Sequence, residues 1–295
     1  MEIKDFLLIK NPVAGSGKAK NQAWIDSLIE QIENKGLSYD LVETQFNGHA
    51  SELAQEMAGK YKTVVAMGGD GTVYEVAQGL IKADGGALGI LPIGNGNDYY
   101  RSFDSRVSPK MAIEKLLAGK TMDVDVGVDS EGRYILNIAS LGLDSYTNAL
   151  QKKLKRYFPR TLGYFVALVY SIFAYKKQKI KVTLDGQSFE SSNVLFCFGN
   201  GQSYGGGFRI MPWAKLDDGY FHVVNIIDLS WPILYLVAPS ILFGLHTKFT
   251  KYVKVYKAKE IHVEADTFTL NIDGEVFETD SISARILEKK LKMIV

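Results

Sequence analysis

Three short stretches of the chain combine glycine with side chains able to handle phosphate or a cation. They are "NPVAGSGKA" from residue 11, "GGDGT" at 68–72 and "GNGND" at 94–98. Glycine lets backbone N–H groups approach an anion with no side chain in the way. Where such a turn opens a helix, the unpaired N–H groups and the helix dipole both favour a phosphate. Asp70 and Asp98 lie inside two of these turns. A carboxylate beside a phosphate repels it unless a cation stands between them, so the pattern reads as phosphate plus magnesium. The first stretch is not a Walker A loop, which needs a glycine where Pro12 stands and a hydroxyl where Ala19 stands. Taken singly, each turn also fits an ordinary strand-to-helix connection, and Asp70 a turn aspartate. Three in chain order are harder to explain that way.

The elements around these turns alternate. "DFLLIK", "SYDLVETQ", "TVVAMGG" and "ALGILPIG" read as strands. Between them lie helix patterns. One runs over "AKNQAWIDSLIEQIENKG", with Trp24, Ile25, Leu28, Ile29 and Ile32 on one face. Another covers "HASELAQEMAGKY", and a third follows "GGDGT", where Thr72 and Glu75 have capping-box spacing. "SPKMAIEKLLAGK" adds a fourth, with Ser108 as cap and Pro109 at the first helical position. This order predicts a parallel sheet covered by helices, with ligands beyond the carboxyl ends of the strands. From about residue 121 the pattern becomes antiparallel. "MDVDVGVD" and "RYILNIASLG" read as a hairpin, and Asp-Gly turns follow at 185–186 and 273–274. The expected fold is an α/β domain (residues 1–125, with a C-terminal return at 287–295) plus an antiparallel β-sandwich domain (126–286).

Bulk properties narrow the function. The chain has 295 residues, 46% hydrophobic and 23% charged, with a net charge of +1. Such a balance offers no global field for nucleic acid, and no basic block is present. The lone Cys197 rules out an internal disulfide and sits in the apolar run "NVLFCFGN", as a buried structural thiol would. His49, His222, His246 and His262 lack zinc spacing. "MEIKDFLLIK" is too short and acidic for a signal peptide. The apolar stretches 157–177 and 229–248 are interrupted, and fall short of the roughly 20 residues of a membrane span. Both read as buried helices. Arg156, Arg160, Lys176 and Lys177 at the ends of the first also suit an interfacial segment.

Together "NPVAGSGKA", "GGDGTVYEV" and "LPIGNGNDYYRSF" resemble the catalytic domain of the diacylglycerol kinase family, in particular its soluble bacterial lipid kinases. "GGGFRIMPWAKLDDGYFHVV" at 205–224 and "NIDGEVFE" at 271–278 extend the resemblance over nearly the whole chain. It implies a cytoplasmic enzyme, peripheral at the membrane, that uses ATP and magnesium on a lipid hydroxyl. It leaves room for a homodimer. Asn11, Pro12, Val13, Ala14 and Gly15, with Gly68, Gly69, Asp70, Gly71 and Thr72, would wrap ATP. Thr44 would add a nucleotide contact, as would Asn95, which stands where relatives usually carry threonine or serine. Asp70, Asp98 and Asp125 would organise the catalytic magnesium. Lys215, Asp218 and Tyr220 would hold a structural metal. Glu275 would be the general base, although by itself "IDGE" reads as a hairpin turn with a solvated glutamate. "GGDGT" is shared with NAD kinases, so a soluble nucleotide acceptor is the rival reading. A homologue that binds without catalysing is a third, which the retained acids disfavour.

Overall fold

The computed structural model describes residues 3–15, 17–154, 177–227 and 239–295, and singly 166, 167, 170, 171, 174, 175, 233 and 237. The chain divides into two compact units. The first comprises Met1–Val126, Gly205–Gly207 and Glu288–Val295, and the second Gly127–Tyr204 and Phe208–Leu287.

The first unit is an α/β domain. Its strands are β1 (Lys4–Lys10), β2 (Tyr39–Glu43), β3 (Tyr61–Gly68) and β4 (Ala87–Pro92), and its helices begin with α1 (Lys18–Asn34), α2 (His49–Met57) and α3 (Asp70–Ala83). A fourth, α4 (Pro109–Ala118), precedes β5 (Thr121–Asp129), in which the chain crosses into the second unit. The strands pair in parallel in the order β2-β1-β3-β4, and Met293 joins beside Leu88 of β4. β4 is buried along its whole length, as a central parallel strand covered on both faces must be. On α1, Ile25, Leu28 and Ile32 are buried, one stripe at helical spacing, and Gly36 closes the end with a positive φ. Ser108 Oγ accepts the Met111 N–H at 3.4 Å and so caps α4.

The capping box at Thr72 does not form. α3 starts two residues earlier, at Asp70, so Thr72 lies inside its first turn and no side chain caps it. Thr72 Oγ1 accepts from Asn11 Nδ2 at 3.0 Å instead. Glu75 reaches across to the Ala50 N–H at 3.2 Å, satisfying an otherwise unpaired donor in the first turn of α2.

The second unit is a β-sandwich-like domain. It contains β6 (Tyr134–Ile135), β7 (Ile138–Gly142), α5 (Leu143–Leu154), β8 (Gln178–Leu184), β9 (Gln187–Gly199), β10 (Phe221–Ile227), β11 (Val253–Ala258) and β12 (Glu260–Ile272). β13 (Glu275–Ile294) begins here and ends in the first unit. All pairings within this unit are antiparallel. From Asn193 onward β9 is buried on both faces. Phe196 and Phe198 join Phe221 and Leu270 in one core, while Leu195 and Cys197 join Ile210 and Val224 in another. Cys197 is thus the structural thiol expected, and burial pushes it well above its ordinary pKa. The strand expected over 133–142 is broken at 136–137, because the Asp273 carboxylate takes the N–H groups of Leu136, Asn137 and Ile138.

Of the two apolar segments, 157–177 falls mostly outside the described residues; within it Ala167 and Tyr175 are buried and Tyr170 is exposed. In 229–248, the described Ile233, Val237 and Ile241 pack into the second unit's core. No described helix is long and apolar enough to cross a membrane.

Candidate active site

In the first unit the loops named from sequence leave the carboxyl ends of β1, β2, β3 and β4, where open α/β sheets bind ligands. Asn11 ties two of them together. Its Nδ2 donates to Thr72 Oγ1 and its Oδ1 accepts the Val13 N–H at 3.1 Å, which curls Asn11–Gly15 into a turn. Val13 is left exposed at its tip. Thr44 follows β2, its N–H bonded to the Lys10 carbonyl at 2.9 Å. The second and third turns touch. A Cβ on Gly94 would lie 2.2 Å from Gly69 Cα, so nothing larger than glycine fits. Asn97 braces the third turn through both the N–H and the carbonyl of Gly94, at 3.1 and 3.0 Å. This leaves Asn95 exposed at the crest.

The acids sit within this frame. Asp70 is the first residue of α3, and its Oδ1 accepts the Tyr99 N–H at 3.0 Å. A Cβ on Gly96 would lie 2.8 Å from Asp70 Oδ2 and 3.2 Å from Asp98 Oδ2, so the two carboxylates converge there. Asp98 is 7% exposed. Its Oδ2 accepts the Gly206 N–H at 2.7 Å, while its Oδ1 is buried without a hydrogen-bond partner. Burial, then the neighbouring Asp70 charge, pushes Asp98 up to about 6, against the pull of Gly206, Gly207 and Arg101. Burial raises Asp70 as well. Asp125 is buried on β5, and its Oδ1 accepts the Lys289 N–H at 2.8 Å. Among the described residues, no three His, Cys, Asp or Glu side chains stand close enough to hold a metal ion. Asp70 and Asp98 are brought together at Gly96, and Asp125 is anchored on β5 through the Lys289 N–H.

Three residues of this site escape sequence reasoning. Asn21 Nδ2 bonds the carbonyls of Ala14 and Ile93 at 3.2 and 3.0 Å, joining the first turn to the third. Arg101 lies beside the acid pair, with Nε 3.4 Å from the Gly96 carbonyl. Gly206 comes from a run of three glycines, all with positive φ, that turns a backbone donor onto Asp98. The glycine triplet was the only signal available in advance. A cavity of about 510 Å³ in the same unit is lined by Tyr61, Lys62, Asp84, Asp123, Lys290 and Lys292. Those lysines are each paired with an aspartate, and none of the three glycine turns contributes to it.

The second unit carries the remaining candidates. Glu275 is exposed at the start of β13, just after the Asp273–Gly274 turn. The Asp273 carboxylate holds that turn through the N–H groups of Leu136, Asn137 and Ile138, at 2.6, 3.0 and 2.8 Å, and Asn271 Oδ1 accepts the Gly274 N–H. Asp218 Oδ2 pairs with Lys257 at 2.7 Å, and its Oδ1 is buried with no hydrogen-bond partner, 3.3 Å from His222 Nε2. Burial pushes Asp218 up, but Lys257 and His222 outweigh it and hold the carboxyl below its ordinary value. His222 Nε2 accepts the Lys215 N–H at 3.1 Å, which engages its one lone pair, so the neutral ring offers Asp218 Oδ1 no donor. The orphaned carboxylate oxygen of Asp218 is of a kind that fits a cation. Tyr220 is exposed beside Lys257 and Lys259.

Comparison with known proteins agrees with this geometry. Residues 5–128 match the diacylglycerol kinase catalytic domain, and residues 137–295 match the YegS C-terminal NAD kinase beta sandwich-like domain. A diacylglycerol kinase of Staphylococcus saprophyticus is 31% identical over 272 residues, 91% of this chain and 88% of the relative. One from Staphylococcus aureus strain MRSA252 is 30% identical, covering 91% and 85%. The crystal structure of a candidate diacylglycerol kinase from Bacillus anthracis strain Sterne superposes with a TM-score of 0.82 at 26% identity, covering all of this chain and 96% of the other. Identity of this extent over both units, with the acid pair and its glycine turns in place, assigns the chain to the diacylglycerol kinase family, phosphotransferases that act on an alcohol acceptor.

Proposed function

We propose that the protein transfers the γ-phosphoryl group of ATP to a hydroxyl of a diacylglycerol-like lipid at a membrane surface, with magnesium. The observation that carries this reading is the Asp70–Asp98 pair. It places a half-buried carboxylate, Asp70, and a buried one with an unpartnered oxygen, Asp98, against turns whose backbone N–H groups suit phosphates. Magnesium, when bound, neutralises charge on the transferring group. Asp70 and Asp98 would hold it, with Asp125 as a further acid. Asn11–Gly15, Thr44, Gly68–Thr72 and Asn95 would position the nucleotide. Glu275 would take the proton from the acceptor hydroxyl as its oxygen bonds the γ-phosphorus, the bond to the bridging oxygen breaks and ADP departs. Lys215, Asp218 and Tyr220 would keep a second cation, with a structural role. The relatives named diacylglycerol kinase support the acceptor class.

The test is transfer of labelled phosphate from ATP to a panel of diacylglycerol, phosphatidylglycerol, ceramide and undecaprenol, with NAD as a separate arm. Label on a lipid supports the proposal. Label on NAD alone moves the protein to the nucleotide kinase reading that "GGDGT" and the sandwich resemblance allow. No label in any arm leaves a binding protein.

A further inference from the structure

In the second unit, residues 240–245 form a helix end that presents apolar side chains to solvent. Leu242, Phe243 and Leu245 are 45%, 70% and 45% exposed. The loop that carries them is firmly built. The Leu245 N–H donates to the Ser240 carbonyl at 2.9 Å and the Gly244 N–H to the Ile241 carbonyl at 3.0 Å. Gly244 has φ +68, so the pattern is a Schellman cap. A Cβ on Gly244 would lie 2.8 Å from Pro212 Cγ, which seats the loop tightly on the 209–213 segment. The Arg209 N–H bonds the Ile241 carbonyl at 3.1 Å, and His246, fully buried, bonds the Ile210 carbonyl at 2.9 Å. Among the described residues these contacts tie the loop to the 209–213 segment, and the three apolar side chains stay exposed.

Charge around the loop is one-sided. From residue 229 through 259 the sequence contains five lysines and no acid. Arg209, Lys248 and Lys251 are exposed next to the apolar tip. Exposed apolar side chains beside exposed cations on the linked 209 and 248–251 backbone match an anionic bilayer interface, where the tip enters the acyl boundary and the cations meet headgroups. We infer that Leu242, Phe243 and Leu245, with Arg209, Lys248 and Lys251, form the surface by which the protein docks on an anionic membrane. The choice of partner rests on the lipid kinase reading, because an acceptor that stays in the bilayer must be reached there. Burying Leu and Phe together in the interface gives a partition gain of roughly tenfold or more.

The experiment uses the full chain with vesicles of phosphatidylcholine, with and without phosphatidylglycerol. Phe243→Trp places a fluorophore at the tip. Its emission is expected to shift to the blue on adding vesicles that contain phosphatidylglycerol, and less on adding neutral ones. Leu242→Ser combined with Phe243→Ser should cut cosedimentation with anionic vesicles at least about tenfold, with the melting temperature of the parent. Lys248→Glu combined with Lys251→Glu should abolish the preference for anionic vesicles. The inference fails if the parent does not bind these vesicles, or binds while the introduced indole keeps its emission in water. It fails as well if the serine variant cosediments like the parent, or if that variant turns a dimer into a monomer, which would make the loop a subunit contact. Transfer to dispersed dihexanoylglycerol by the unaltered protein is measured alongside. It tests the lipid kinase reading without any membrane, so vesicle binding without transfer, or transfer without binding, tells which idea has failed.

Discussion

Asp98 is held at odds with its solvation. Its carboxyl is buried beside a second carboxyl and sits at about 6 rather than 3.8. A folded-state pKa above the unfolded one means that ionisation works against the fold. The associated stability is fully present below about 3.8 and is lost as pH rises through about 6. The amount is on the order of 3 kcal/mol. Asp98→Asn should therefore flatten the decline of the metal-free protein between those pH values, in melts followed by circular dichroism. It should raise stability near neutrality while lowering turnover by orders of magnitude. If instead the variant shows the parent's pH slope, the Asp98 charge is not the source of that slope. At the same scale, Glu275→Gln keeps the side chain's shape and removes its basicity. Nucleotide binding should persist, and transfer should fall by roughly 10²–10⁴. Full activity would return Glu275 to a solvated turn residue.

The turns before and after the strands do the positioning. Asp273 is the clearest case, since one carboxylate takes three backbone N–H groups and so fixes the hairpin that carries Glu275. In Asp273→Asn an amide N–H₂ must meet one of those donors. The expected cost is about 1–3 kcal/mol of stability, read as a lower melting temperature, together with a loss of transfer that added ATP does not rescue. Activity at the parent's level would mean that the turn holds without its anchor. Elements of this kind were partly legible beforehand. The parallel strands announce themselves through unbroken apolar runs, and the Asp-Gly turns through their composition. Asp70 and Asp98 stood out as acids inside glycine turns that follow parallel strands, and the folded chain brings the two together at Gly96. Contacts between positions far apart in sequence were not. Thr72 and Glu75 have capping-box spacing, yet Asn11 and Ala50 are better partners once the chain is folded. The break at 136–137 is set by a residue more than a hundred positions later. Asn21 and Arg101 have no local pattern that separates them from surface residues, and for Gly206 the glycine triplet was the sole sign.

For the molecule as a whole, stability should respond to cations. Asp218 Oδ1 is a buried acceptor with nothing to accept from, and a bound ion would stabilise the folded state by mass action. Raising magnesium from zero to millimolar should lift the melting temperature of the parent. Asp218→Asn should weaken that dependence, apart from what the Asp70–Asp98 pair contributes, which Asp98→Asn removes separately. A parent whose melting ignores magnesium would argue against both cation sites.

β13 has a consequence for how the protein comes off the ribosome. The first unit is composed from both ends of the chain, with Glu288–Val295 supplying Met293 beside β4 and the Lys289 N–H that satisfies Asp125. Translation therefore delivers nearly all of the first unit first and withholds its closing piece until the whole sandwich has been synthesised. Until then the buried Asp125 lacks that donor and the edge of β4 lacks its neighbour, so the nascent first unit should stay incomplete. A released fragment of Met1–Val126 should exchange its amide hydrogens rapidly along β4 and β5. A synthetic peptide of Glu288–Val295 added in trans should slow that exchange.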